Sequence, residues 1–272
     1  MADSSELIAH VKDTDVFHLP FGVETRVPQV FEALGLRLHL TKFMMVELVV
    51  AVLMVAIFVP LGRKLASGRP PRGRLWNMLE MIVMFVRDEI ARPAIGRHDA
   101  DRFLPFLWTQ FYFLLFLNLF GLLPWVGSAT GELGVTGAVA LITLAVVVGA
   151  GIRRFGPIGY WMGLVPHMDV PWVLALFLKP MIFGIEVLGI FVKHFILAMR
   201  LFANMFAGHL VLAVIMGLIA LAAKSWVWYG VMPISVAGTT ALNLLELMVA
   251  CVQAYVFTFL SALFIGMAVH QH

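Results

Sequence analysis

Residues 172–223 are about fifty residues of helix-compatible sequence with no clear break. At 1.5 Å per residue such a helix is about 75 Å long. That is more than twice the hydrocarbon core of a bilayer, about 30 Å. No upright helix can use that length, so the segment has to bend or lie steeply tilted. The polar stretch AAKSWVWYG, 222–230, then makes a turn, and 232–269 forms a second overlong helix. A long tilted two-helix hairpin over 172–272 therefore dominates any fold available to this chain. Composition decides that the solvent is lipid. Of 272 residues 61% are hydrophobic and 13% charged, and the mean hydropathy is +0.95. Soluble domains are about 45–50% apolar and about a quarter charged, and one core could not hide this much apolar surface. The expected class is an all-α polytopic membrane protein.

The rest of the chain supplies three roughly upright spans: 43–62, 103–126 and 134–152. Between the first two lies a basic loop, 63–74, with Arg63, Lys64, Arg69, Arg72, Arg74 and no acid. Such a loop belongs on the cytoplasmic side. The stretch 75–93 is broken by Asn77, Glu80, Arg87 and Asp88 and reads as an amphipathic helix on the cytoplasmic surface. GSATGE, 127–132, has no basic residue and lies outside, whereas the third span ends in Arg153 and Arg154. The expected organisation is an outer-side N-terminal segment, 1–42, then spans and surface helix over 43–152. A cytoplasmic linker rich in Gly and Pro, 153–171, leads to the hairpin, 172–272. The N-terminus is outside, the basic loops and C-terminus cytoplasmic. The polar, acidic N-terminus shows no cleavable signal pattern. Cys251, the one cysteine, excludes an intramolecular disulfide or CxxC metal site and reads as a small buried hydrophobe. No metal or cofactor site is expected, and with a net charge of +3 spread over loops, no nucleic-acid partner.

The chemistry lies in the hairpin. On its first helix Glu186, Lys193, Arg200 and Asn204 are spaced 7, 7 and 4, which keeps them within about 40° on a helical wheel. On the second, Thr239, Asn243, Glu246 and Gln253 are spaced 4, 3 and 7, again near one face. Two such stripes make either a water-accessible path or a buried polar seam. Asn204, Thr239 and Asn243 by themselves fit helix-packing glue, and Lys193 fits a snorkelling side chain. Arg200 does not. A central arginine costs about 2.5–3.5 kcal/mol on insertion scales, so it needs a partner or a path. Glu186 is 14 residues away on the same helix, about 21 Å, too far for a direct pair. Glu246 or a carboxylate from another subunit remains.

These residues carry a resemblance. RLFANMFAGH, 200–209, followed by ELMVACVQAYVF, 246–257, resembles the family of a subunits of F-type ATP synthases, the proton-channel stators beside a rotating c-ring. The motif resemblance covers about 180–260, and the architecture nearly the whole chain. It implies that Arg200 faces the rotor carboxylate and blocks proton leak. It implies that Glu186 belongs to the cytoplasmic half-channel, that His209 and Glu246 are the titratable pair of the outer half-channel, and that Asn204 and Gln253 are polar neighbours of the arginine. Asn243 joins the path through its place on the stripe; Lys193 and His194 are further candidates. Two features depart from many bacterial members. The acid and the histidine of the outer pair are exchanged, as in mitochondrial relatives, and Lys193-His194 stands where many have Lys-Pro. The implied partners are the c-ring, peripheral-stalk b subunits, the rest of the synthase, protons and membrane lipid, in a bacterial inner membrane. The subunit itself would be non-catalytic.

The residue chemistry fits those roles. A rotor carboxylate crosses lipid only when protonated, since the charged form is too costly to bury. A nearby guanidinium favours its ionised form, and an arginine is not a proton relay because it does not deprotonate. A histidine titrates near neutral pH. A secondary transporter would show inverted repeats, and none is visible. A membrane enzyme would gather charged groups around one point, and the chain has no HExxH, no DxxxD-type acid pair and no GxSxG.

Overall fold

The computed structural model describes residues 16–19, 23–26, 31–33, 36–38, 41–66, 73–123, 127–165, 171–223 and 226–270. From residue 42 onward its regular elements are helical. α1 is Lys42–Ala66 and α2 is Arg74–Phe85. A π-helical turn, Val86–Ala91, joins α2 to the short α3, Arg92–Ile95. α4 is Ala100–Gly121, α5 Leu133–Gly163, α6 Trp172–Ala222 and α7 Trp228–Val269. Five helices, α1, α4, α5, α6 and α7, are long and apolar enough to cross a membrane. The all-α polytopic membrane class holds for this part of the chain. The N-terminal segment adds two small antiparallel hairpins. Val16–Leu19 (β1) pairs with Val23–Arg26 (β2), and Phe31–Ala33 (β3) with Leu36–Leu38 (β4).

The helices contribute to two compact units. The first contains 1–71, 112–135 and 201–254. In it Phe43, Val46 and Val50 repeat at helical spacing along α1 and pack with Leu117 of α4 and Ala129. The opposite side of α1 stays open: Val52 and Val55 are 61% and 62% exposed. In water that pattern would be unstable, but lipid is the solvent for such a face. α4 also ties to α7 through a polar contact, Asn118 Nδ2 donating to the Ala250 carbonyl across 3.3 Å.

The second unit contains 72–111, 136–200 and 255–272. The surface segment expected at 75–93 is here, as α2 and the π-turn. The widening has a local cause. Pro93 sits in the first turn of α3 and has no N–H to give to the carbonyl four residues back, and the Arg92 N–H reaches Arg87 O instead, an i→i−5 bond of π type. Gly96, at φ 98, ends α3. Within α3 itself Ala94 makes a close helix contact: any Cβ at Gly266 of α7 would strike the Ala94 carbonyl. Gln110 Nε2 of α4 donates to Thr143 Oγ1 of α5 across 2.8 Å, in a buried setting.

The segment expected as a linker from 153 remains helical as far as Gly163. The break comes at Gly156, φ 78, just before Pro157, a backbone conformation that glycine reaches without a Cβ penalty. The chain beyond the break turns back, so that the Tyr160 ring fills the space over Gly151. Pro166, Arg69 and Arg72, part of the same sequence reading, lie outside the described residues.

Candidate functional site

α6 runs 51 residues from Trp172 to Ala222, and α7 runs 42 residues from Trp228 to Val269. α7 begins at Trp228, inside the stretch 222–230 expected as a turn, and both helices are as overlong as the sequence indicated. Their polar residues fall into two sets, one in each compact unit.

The first unit holds Asn204, His209, Asn243, Glu246 and Gln253. Asn204 Nδ2 on α6 donates to Gln253 Oε1 on α7 across 2.9 Å. Gln253 is 3% exposed, and its Nε2 has no partner among the described residues. About two turns toward the start of α7, Glu246 is 8% exposed. Its carboxylate occupies the space that a side chain at position 208 would fill. Only glycine at 208 permits this approach, and the next residue on α6 is His209, half-buried. Asn243 is exposed. In this unit the inward face of α7 therefore carries Glu246, Ala250 and Gln253, all buried, at the i, i+4, i+7 spacing of one helix face.

The second unit holds Glu186, Lys193, His194 and Arg200. Glu186 is half-buried; Lys193 and Arg200 are exposed. Arg200 lies near the midpoint of α6, and no hydrogen bond or ion pair holds its guanidinium among the described residues. The alternative of an internal partner is thus not what the described residues present. His194 turns the other way. It is buried, its Nδ1 donates to the Ile190 carbonyl at 2.8 Å, and its ring lies 5.1 Å from that of Phe264 on α7. Lys193 and His194, adjacent in sequence, face opposite environments. Cys251, expected to be buried, is exposed.

A family model described as the ATP synthase A chain matches residues 43–266. The chain belongs to this family. Among relatives, an ATP synthase subunit a of Myxococcus xanthus (strain DK1622) is 42% identical over 275 residues, spanning 97% of this chain and 88% of the relative. One of Chloroherpeton thalassium (strain ATCC 35110 / GB-78) is 37% identical over 97% of this chain and 76% of its own length. One of Anaeromyxobacter dehalogenans (strain 2CP-C) is 46% identical over 79% of this chain, and the match spans 55% of that longer relative.

In this member of the ATP synthase A chain family, three features are visible only in the folded chain. Gly208 was an unremarked part of the RLFANMFAGH motif, and its role emerges only from the carboxylate packed against it. Asn118 and the Gln110–Thr143 pair are the other two. A signal existed for these: amide side chains inside an apolar span are costly in lipid unless satisfied, so each marks a helix contact. Among the described residues no cluster of three or more His, Cys, Asp or Glu could hold a metal.

Proposed function

We propose that this chain is the proton-translocating a subunit of an F-type ATP synthase, working in a bacterial inner membrane beside a c-ring and held by peripheral-stalk b subunits. The observation that carries the reading is Arg200: exposed, near the midpoint of an apolar helix of 51 residues, and without an internal partner among the described residues. A guanidinium in that position is tolerable only against water or an anion brought by another subunit. A rotor carboxylate meets that need. Arg200 attracts it, favours its ionised state and, holding its own proton permanently, stops protons passing straight between two half-channels.

His209 and Glu246 form the outer half-channel and Glu186 the cytoplasmic one, with Asn204, Asn243 and Gln253 as polar lining. Lys193 stands beside the path, and His194 braces α6 against α7. The Glu246 carboxylate resting on Gly208, next to His209, supports the assignment of an acid and an imidazole to one path. The coupling energy available is about 2.3 kcal/mol per charge per 100 mV, so groups along the path have to release protons as readily as they take them. The N-terminus lies outside, the basic loops and C-terminus in the cytoplasm, and the subunit does no ATP chemistry itself. The test is ATP synthesis in membrane vesicles. Arg200→Ala abolishes coupled synthesis, and Arg200→Lys fails as well, because an ammonium lacks the planar fork and can lose its proton when buried. Near-normal coupled rates for Arg200→Ala would refute the proposal.

A further inference from the structure

A cavity of about 480 Å³ opens in the second unit where three spans end together. Arg102 comes from the first turns of α4, Arg153 and Arg154 from the end of the apolar run of α5, and Val269 from the last residue of α7. All three arginines are exposed, and among the described residues none has a side-chain hydrogen bond or ion pair. The lining holds one acid, Asp99, whose Oδ2 lies 3.7 Å from His270 Nε2. The remainder of the wall is apolar, including Phe103, Val146 and Ala150.

We propose that this cavity binds an anionic glycerophospholipid, its headgroup phosphate on Arg102, Arg153 and Arg154 and an acyl chain along Phe103, Val146 and Val269. Three guanidiniums against one carboxylate leave the site cationic. Guanidinium forks match phosphate oxygens in geometry as well as charge. The position at the ends of membrane-spanning helices puts the charged rim at headgroup level and the apolar wall below it, which is the arrangement of basic lipid sites between spans. A soluble phosphate or phosphopeptide would use the arginines but leave the apolar wall idle. The site shares no residue with the proton path proposed above and does not depend on it.

The experiment uses the purified intact synthase containing this chain, reconstituted with a phosphatidylglycerol bearing a photoreactive group on its acyl chain. Crosslinks are mapped by peptide mass spectrometry. Peptides carrying Phe103 or Val146 label several-fold more with this probe than with the matching phosphatidylcholine. In Arg153→Gln/Arg154→Gln the selective labelling falls about tenfold or more, since each arginine near a headgroup adds substantially to affinity. Arg153→Lys/Arg154→Lys keeps the charge but loses the fork, so its selective labelling falls between that of the unaltered complex and that of the glutamine variant. Equal labelling by the two lipids in the unaltered complex would overturn the proposal, because it would mean bulk lipid contact without headgroup recognition; this comparison stands even if the glutamine variant does not assemble. Displacement of the lipid by millimolar inorganic phosphate would overturn it in favour of a free anion. Absence of any lipid adduct on the Phe103 and Val146 peptides from either probe would overturn it, because the wall would then not be in contact with acyl chains.

Discussion

The Asn204 side-chain amide donates to the side-chain oxygen of Gln253, 49 residues further along the chain, across 2.9 Å. This bond pins one turn of α6 to one turn of α7, and the two residues are polar groups in helices whose residues are mostly apolar. In lipid each loses its most available partner when the other is removed. Asn204→Ala and Gln253→Ala are therefore expected to be non-additive. A double-mutant cycle on ATP-driven proton pumping should give a coupling of about 1 kcal/mol, in the range measured for interhelical bonds in membranes. Strictly additive effects would show that the bond does not matter to transport.

Gly208→Ala is expected to slow coupled proton transport about tenfold, which corresponds to about 1.4 kcal/mol, within the usual cost of forcing a methyl group into a filled space. The new Cβ would take the place of the Glu246 carboxylate. Glu246→Asp, one methylene shorter, should recover part of the loss when combined with Gly208→Ala although it slows transport alone. Proton uptake by inverted vesicles measures all three. Wild-type rates in Gly208→Ala would mean the close approach has no functional role.

Cysteine labelling in sealed vesicles tests the two-path arrangement. Cys251 is exposed, so it must first be replaced by serine. Single cysteines at 186 and 246 should then react with a membrane-impermeant thiol reagent from opposite faces: 186 from the cytoplasmic face, 246 from the outer. Labelling of both from one face would indicate a continuous pore and defeat the half-channel proposal.

The π-turn carries a pH-dependent contact. The Arg87 guanidinium hydrogen-bonded to Asp88, at 3.1 and 3.3 Å, holds the Asp88 carboxyl below the usual range, and Arg92 adds a 2.6 Å contact. A depressed folded-state pKa means the contribution is fully present above the unfolded value, about 3.9, and is lost as pH falls through the lower folded value. The site is solvent-accessible, so the effect is small. The Tm of the purified complex should be slightly lower for Asp88→Asn at pH 6, and the difference should vanish well below pH 4. A difference that persists undiminished in strong acid would rule out the ionised carboxylate as its source.

The sequence by itself determined the membrane class, the number of spans, the overlong hairpin and the polar positions on it. These follow from hydrocarbon thickness, helix rise and the cost of polar groups in lipid, all of which act locally along the chain. It also carried the family resemblance through RLFANMFAGH and ELMVACVQAYVF. Tertiary structure decided which polar residues meet. Asn204 finds Gln253, Glu246 finds the gap at Gly208, Arg200 turns out from the helix and His194 turns in. Helical spacing gives each residue an angle on its own helix, but the rotation and offset of a partner helix depend on how two whole surfaces interlock. The same limit explains the helix past residue 153. Gly156 and Pro157 announced a break, yet only the packing of Tyr160 over Gly151 shows that the chain folds back as helix beyond it.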